Sequence, residues 1–175
     1  MKKRTLIRTA LMTVVAVMAL ILNAQTEKVN LAENGNFEDG VQKWDGKGVA
    51  DTVEFKDGKS SMKLDGSGTP VFIADAQDIT TKLKPSTEYV LSADIKRTVI
   101  DKGSVYVAVL EKAKNTDKDW LPGHVCGGQG QAGKWEHFEV KFKTGSEIGH
   151  AIIILYNITT GGIAWYDNIS LVEVK

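Results

Sequence analysis

Residues 87–99 read Thr87-Glu88-Tyr89-Val90-Leu91-Ser92-Ala93-Asp94-Ile95-Lys96-Arg97-Thr98-Val99. The apolar set Tyr89, Leu91, Ala93 and Ile95 falls on every second position, with Ser92, Asp94 and Lys96 facing the other way. Successive side chains of an extended chain point to opposite faces, so this alternation predicts a strand covered on one side only. Residues 135–143 repeat the pattern, with Phe138, Val140 and Phe142 set against His137, Glu139 and Lys141. One-sided strands of this kind fit two antiparallel sheets packed face to face. Residues 151–156 differ, being continuously apolar, as expected of a central strand with both faces occupied.

Working outward, the same periodicity predicts further strands over 29–33, 49–55, 61–64, 71–78, 104–111 and 163–174. Turn signals separate them: Asn34-Gly35-Asn36, Lys56-Asp57-Gly58, Asp65-Gly66-Ser67-Gly68, Asp101-Lys102-Gly103 and Thr160-Gly161-Gly162. Glycine supplies positive φ at such turns, while Asp and Asn bond back to their own backbone. No stretch keeps a helical apolar pattern for three turns. About nine strands at this spacing predict an all-β chain, an antiparallel β-sandwich of the jelly-roll kind. The longest irregular stretch, 112–134, is expected to be a functional or mobile loop.

The N-terminus bears on compartment. Lys2, Lys3, Arg4 and Arg8 precede an apolar run over 10–22, then Asn23, Ala24 and Gln25. That is the order of a secretory signal peptide, with residues 1–24 removed and a single domain over 25–175. The apolar run is short for a membrane span, which needs about 20 residues. A bacterial-type product is expected, secreted, periplasmic or held at the cell surface, with no membrane span after cleavage. Loss of four of the 22 basic residues leaves 18 against 22 acidic ones, a net charge of −4. A mildly acidic chain without a basic stripe is a poor candidate for nucleic acid, and no such partner is expected, because phosphate neutralisation needs clustered Lys and Arg. Cys126 is the only cysteine, so the fold stands on packing without an intramolecular disulfide, and a monomer is expected. His124 lies two residues from that thiol, yet no further nucleophile-and-base framework accompanies the pair. His124, His137 and His150 are evenly spaced, but they fall on an expected loop, a strand and a strand start and share no metal geometry.

Three landmarks recur in a familiar order: Asn34-Gly35-Asn36-Phe37-Glu38-Asp39-Gly40 followed by Trp44, then Asp57-Gly58-Lys59-Ser60-Ser61-Met62-Lys63-Leu64, then Trp165-Tyr166-Asp167-Asn168-Ile169-Ser170-Leu171. Between them lie Leu83-Lys84-Pro85-Ser86-Thr87-Glu88-Tyr89 and Gly133-Lys134-Trp135-Glu136-His137-Phe138. Together these resemble the galactose-binding-like jelly rolls, in particular the cellulose- and xylan-binding carbohydrate-binding modules of families four, nine and twenty-two. The resemblance spans residues 29–175 and implies a non-catalytic, calcium-stabilised module that binds polysaccharide or oligosaccharide, often beside a glycoside hydrolase. It places the calcium near the meeting of first and last strands, held by carbonyl oxygens of Asn36 and Lys59 and side chains of Glu38 and Asp167. Calcium is a hard cation that takes six to eight oxygens, which suits that set. Solvated or turn-bonding carboxylates are the plainer reading of Glu38 and Asp167.

Sugar recognition needs flat apolar surface against ring C–H groups and polar side chains for the hydroxyls. Tyr106 and Tyr156 are candidate platforms if they point away from the core; ordinary packing is the alternative for both. Asp94 and Lys96, on the polar face of their strand, are candidate hydroxyl partners. Trp120 sits in the long irregular stretch and either stacks on a sugar or folds under the loop, with Gln129 and Gln131 as amide partners nearby. A glycosidase would need two carboxylates facing each other about 5 to 9.5 Å apart, and no motif of that kind, nor a nucleophile elbow or zinc-binding helix, stands in the sequence. A surface adhesion or protein-interaction sandwich is the non-enzymatic alternative.

Overall fold

The computed structural model describes residues 28–66, 73–99, 104–114, 120, 123–128, 130–159 and 161–175. The expected signal segment, the turn at 101–103 and Gln129 lie outside them. Among the described residues ten strands follow in order: β1 Asp45–Gly46, β2 Val49–Asp51, β3 Ser61–Asp65, β4 Ile73–Asp78, β5 Glu88–Arg97, β6 Val105–Lys112, β7 His124–Gly128, β8 Glu136–Lys143, β9 His150–Asn157 and β10 Ile163–Glu173. They form two five-stranded antiparallel sheets, β1-β4-β9-β6-β7 and β2-β3-β10-β5-β8. Among the described residues no helix is long and apolar enough to cross a membrane.

The inner faces meet as the alternation demands. Tyr89, Leu91, Ala93 and Ile95 of β5 pack against Val105, Val107 and Val109 of β6 and Ile153 and Leu155 of β9 in one buried cluster. β9 sits at the centre of its sheet, between β4 and β6, as its continuous apolar run predicts. Cys126 joins the core, and burial pushes its thiol up to about 12, which leaves it unreactive near neutrality.

Three departures from the sequence expectation have local causes. Residues 29–33 are bends rather than a strand, because the Asn30 side chain replaces the ladder: its Oδ1 accepts from Leu171 N and its Nδ2 donates to the Ile169 carbonyl. The strand expected over 49–55 stops at Asp51, whose Oδ1 accepts from the amides of Val53 and Glu54 in an Asx turn. The irregular stretch 112–134 contains β7, hidden in the sequence by Gly127 and Gly128. Gly127 lies so close to β6 that a Cβ there would meet the Cα of Tyr106 at 2.8 Å. Glycine inside a strand marks such a close approach of backbones.

Between β1 and β2 the chain crosses from one sheet to the other within two residues. Asp75 secures the crossing: both of its carboxylate oxygens accept from Gly48 N, at 3.1 and 2.9 Å. Asp75 is buried, and that burial pushes its carboxyl above the usual carboxylate range. The folded state therefore holds this proton more tightly than the unfolded state. Its contribution to stability grows as pH falls through the folded pKa, is complete below the unfolded one, and is lost as pH rises again. An Asp75→Asn variant, which cannot titrate, is expected to fall further behind the wild type in melting temperature as the solution is acidified from neutrality. A gap that stayed constant with pH would contradict this assignment.

Candidate functional site

Register places a second apolar surface on the outside of the first sheet. Tyr156 of β9 is paired with Tyr106 of β6, which is paired with Gly127 of β7. The next outward row runs Asp45, Ala76, Ile154, Ala108 and Val125 across all five strands. Asp78, Ile152 and Leu110 form a third row, and His150 with Lys112 a fourth. Ala108, Ile154 and Tyr156 are the buried centre of this cluster, with Ala76, Tyr106, Leu110 and Ile152 packed around them. The cluster is separate from the core between the sheets.

The two tyrosine rings stand 4.8 Å apart and tilted by 50°, a close pair supported by the aliphatic row beneath. Burial raises the pKa of both phenols, so they remain neutral donors and acceptors at physiological pH. Behind the pair, the buried Tyr166 of β10 donates its hydroxyl to the Tyr156 carbonyl, tying this end of the face to the opposite sheet. At the other end Trp120 is 39% exposed and its ring lies 4.9 Å from that of His150. Gly123 returns over the same surface, where a Cβ would meet a Leu110 methyl carbon at 2.5 Å. Six residues of β9 separate the Tyr156 and His150 rows, a span of about 20 Å.

The structure thus brings Tyr106, Tyr156 and Trp120 to one face and separates them from the other expected contacts. Asp94 and Lys96 lie on the outside of the second sheet and are engaged there. Asp94 accepts from the Asn168 side chain at 2.9 Å and lies 3.1 Å from His137 Nδ1. Lys96 is paired with Glu54 and sits 5.6 Å above the Trp165 ring, whose Nε1 donates to Asp51. Gln131 meets the structure through its backbone, donating to Glu136 Oε2 at 2.7 Å. Sequence reasoning missed the aliphatic contribution of Ile152, Ile154, Leu110 and Val125. Its signal was the two-sided apolar run of β9. It also took His124 for a loop residue; on β7 its ring stacks 4.2 Å from Phe142 and meets the buried Glu111 at 3.1 Å.

Of the four expected calcium ligands, Glu38 and Asp167 both hold the 56–60 turn. Glu38 Oε1 accepts from Lys59 N at 2.8 Å and Ser60 N at 3.3 Å. Asp167 is wholly buried; its Oδ2 accepts from the amides of Lys56 and Asp57 and its Oδ1 from Asn168 N. Burial, opposed by these amides and assisted by the neighbouring Asp57, raises its pKa. Among the described residues no three His, Cys, Asp or Glu side chains are grouped to hold a metal, so most of any coordination would come from carbonyl oxygens. Asn36 is exposed and lines a polar pocket with Asn30, Asn34 and Asn168, whereas Glu38 and Lys59 line a different one.

The structure defines an antiparallel β-sandwich with a second apolar, aromatic-bearing cluster on the outer face of one sheet, and comparison with known proteins gives the family. Residues 29–159 match the carbohydrate binding domain that groups families four and nine. The chain belongs to that family. Among solved structures it is similar to family 16 carbohydrate binding module 2, with 25% identity, a TM-score of 0.69, and coverage of 82% of this chain and all of that one. It is also similar in fold to the first family 22 xylan-binding domain of Paenibacillus barcinonensis Xyn10C, at 15% identity and TM-score 0.64, covering 87% of this chain and 99% of that one. A third fold neighbour is the family 22 module joined to a xylanase of Clostridium thermocellum, at 16% identity and TM-score 0.63, over 81% of this chain and 28% of that one. No curated protein matches.

The separation of the two faces is directly testable. Tyr106→Ala should weaken glycan binding by about 2 kcal/mol, as truncated aromatic anchors do. Lys96→Ala should leave binding unchanged. Trp120→Ala should melt near the wild type, since its ring is partly exposed. Titration calorimetry and thermal melts read both quantities, and loss of binding in Lys96→Ala would move the site to the other sheet.

Proposed function

We propose that this chain is a non-catalytic, exported carbohydrate-binding module that takes a polysaccharide or oligosaccharide on the outer face of its first sheet. The observation that carries this reading is the paired Tyr106 and Tyr156 rings on an apolar face whose strands are already covered on their other side. Stacked sugar C–H groups would replace water over those rings, while the phenols offer hydrogen bonds to hydroxyls. The order of charges and apolar residues at the N-terminus supports export to the periplasm, the cell surface or the medium. A partnership with glycoside hydrolases follows from the fold's company and belongs to the same reading. A glycan array probed with the protein and with Tyr106→Ala tests it. Binding lost in the variant is expected; an array with no signal, beside capture of a protein ligand through the same tyrosine, would replace it with an adhesion role.

A structural calcium at the 56–60 turn is part of the proposal. Asp167 is a buried carboxylate that receives amide donors and has a second carboxylate beside it, a place where a divalent cation would offset the charge. Glu38 and Asp167 would contribute carboxylate oxygens, and Asn36 and Lys59 carbonyl oxygens. The ion would supply stability rather than chemistry. A ligand that binds only the folded state adds about 2.7 kcal/mol at a hundredfold excess over its Kd. Chelation should therefore lower the melting temperature of the wild type and have little effect on Asp167→Ala. An unchanged melt after exhaustive chelation, with no metal found by elemental analysis, removes the ion from the account.

A further inference from the structure

We propose that the free edge of β8 pairs with β8 of a second copy of this chain, in one register, to give a non-covalent twofold dimer. Of the four edge strands among the described residues, β8 alone is long and regular. β1 has two residues and β2 three. β7 has five and ends in Gly127 and Gly128, whose φ angles are 129° and 137°. Short or glycine-distorted strands are ordinary protection for a sheet edge. β8 has eight residues, all paired with β5 without a register shift, and among the described residues no strand lies beyond it. On its inner side Phe138 and Val140 pack against the core yet stay only half-buried at this edge. Cys126 is buried, so the pairing needs no disulfide.

The ladders of β5 decide which backbone groups of β8 face outward. On the β8 side the carbonyls of Thr87 and Arg97 accept from Thr144 N and Gly133 N. On the β10 side the Glu88 carbonyl accepts from Val174 N, and Thr98 N donates to the Ile163 carbonyl. Odd-numbered residues of β5 therefore bond toward β8, where they stand opposite Glu136, Phe138, Val140 and Phe142. The amides and carbonyls of His137, Glu139, Lys141 and Lys143 point to the open edge, and all four residues are exposed. An antiparallel second β8 can bond only these four to one another. Centring the pair on Val140 uses all of them, sets Glu139 of each copy opposite Lys141 of the other, and lays Phe138 against Phe142. A slip of two residues either way puts Glu139 or Lys141 opposite itself. Unlike charges directly opposite stabilise a strand pair and like charges destabilise it. Among the described residues Glu139 forms no ion pair, and Lys141 has only the exposed Glu88, 3.0 Å away. Outward residues pair with outward residues, so both first sheets lie on the same side of the shared sheet. On the carbohydrate reading, that makes the dimer bivalent for a long polymer.

Sedimentation equilibrium over a range of protein concentrations, with reductant present and no glycan, reads the association. The wild type is expected to pass from monomer to dimer as concentration rises. Glu139→Lys and Lys141→Glu, both at exposed positions, should retain the wild-type circular dichroism spectrum. Each should weaken self-association about tenfold, because each sets like charges opposite one another across the twofold axis. An equimolar mixture of the two variants should recover wild-type association as a one-to-one heterodimer, since every facing pair is then of unlike charge. A purely structural role for either residue would not produce that recovery. A wild type that stays monomeric throughout overturns the proposal. Association that neither substitution weakens, or weakened association that the mixture fails to restore, overturns it equally. None of these outcomes touches the carbohydrate reading, which the glycan array tests by itself.

Discussion

β9 is apolar on both of its faces, and a strand of that kind has to be covered twice. Ala151, Ile153 and Leu155 are covered by the second sheet, within the core. Ile152, Ile154 and Tyr156 point the other way and form a second apolar cluster with side chains of β4 and β6, in which Ile154 and Tyr156 are buried and Ile152 is half-buried. The hydrophobic effect that builds the sandwich therefore also builds a second, smaller apolar cluster on its outside. Every feature of the candidate site, from the tyrosine pair to the aliphatic rows, follows from this one strand being central and two-sided.

Several side chains hold the rest of the fold by bonding backbone groups. Asp75 fastens the crossing between β1 and β2, and Asp167 gathers the turn before β3. Asn30 stitches the N-terminal bends to β10. Gly35 completes the join, since a Cβ there would meet the Ile169 carbonyl oxygen at 2.1 Å. A β-bulge between Asp167 and Ser170 gives Asn168 a φ of 51°, and its side chain reaches both Asp57 and Asp94. Arg97 is less fully satisfied. It is buried, its Nη1 donates to the Gly128 carbonyl, and among the described residues its Nε and Nη2 have no hydrogen-bond partner. The Phe138 ring, 5.6 Å from the guanidinium carbon, is the compensation the core offers.

Side-chain alternation is a local property, which is why the sequence was legible where strands are long and one-sided. β5, β8 and β10 fall close to their expected positions, and β9 takes its central place. The failures share a cause: they are segments where a side chain or a close backbone approach overrides periodicity. Asn30 imitates a ladder, Asp51 ends a strand by capping the following turn, and Gly127 sits in a strand because Tyr106 leaves no room for a Cβ. No pattern of apolar residues reports those events.

By itself the sequence determined that the chain is all-β, that β9 would be two-sided, and that Tyr106, Tyr156 and Trp120 were the aromatics worth watching. The ordered motifs at 34–44 and 57–64 lie within the stretch that matches the family, and the motif at 165–171 lies beyond it. Only the tertiary structure decided which residues share a face. Asp94 and Tyr106 are twelve positions apart and equally plausible as sugar contacts in one dimension, yet they stand on the outsides of opposite sheets. Alternation tells which side chains of a strand share a side, but which sheet a strand joins is set by pairing across long stretches of chain. The site depends on that pairing: β6 lies beside β9, and so Tyr106 meets Tyr156.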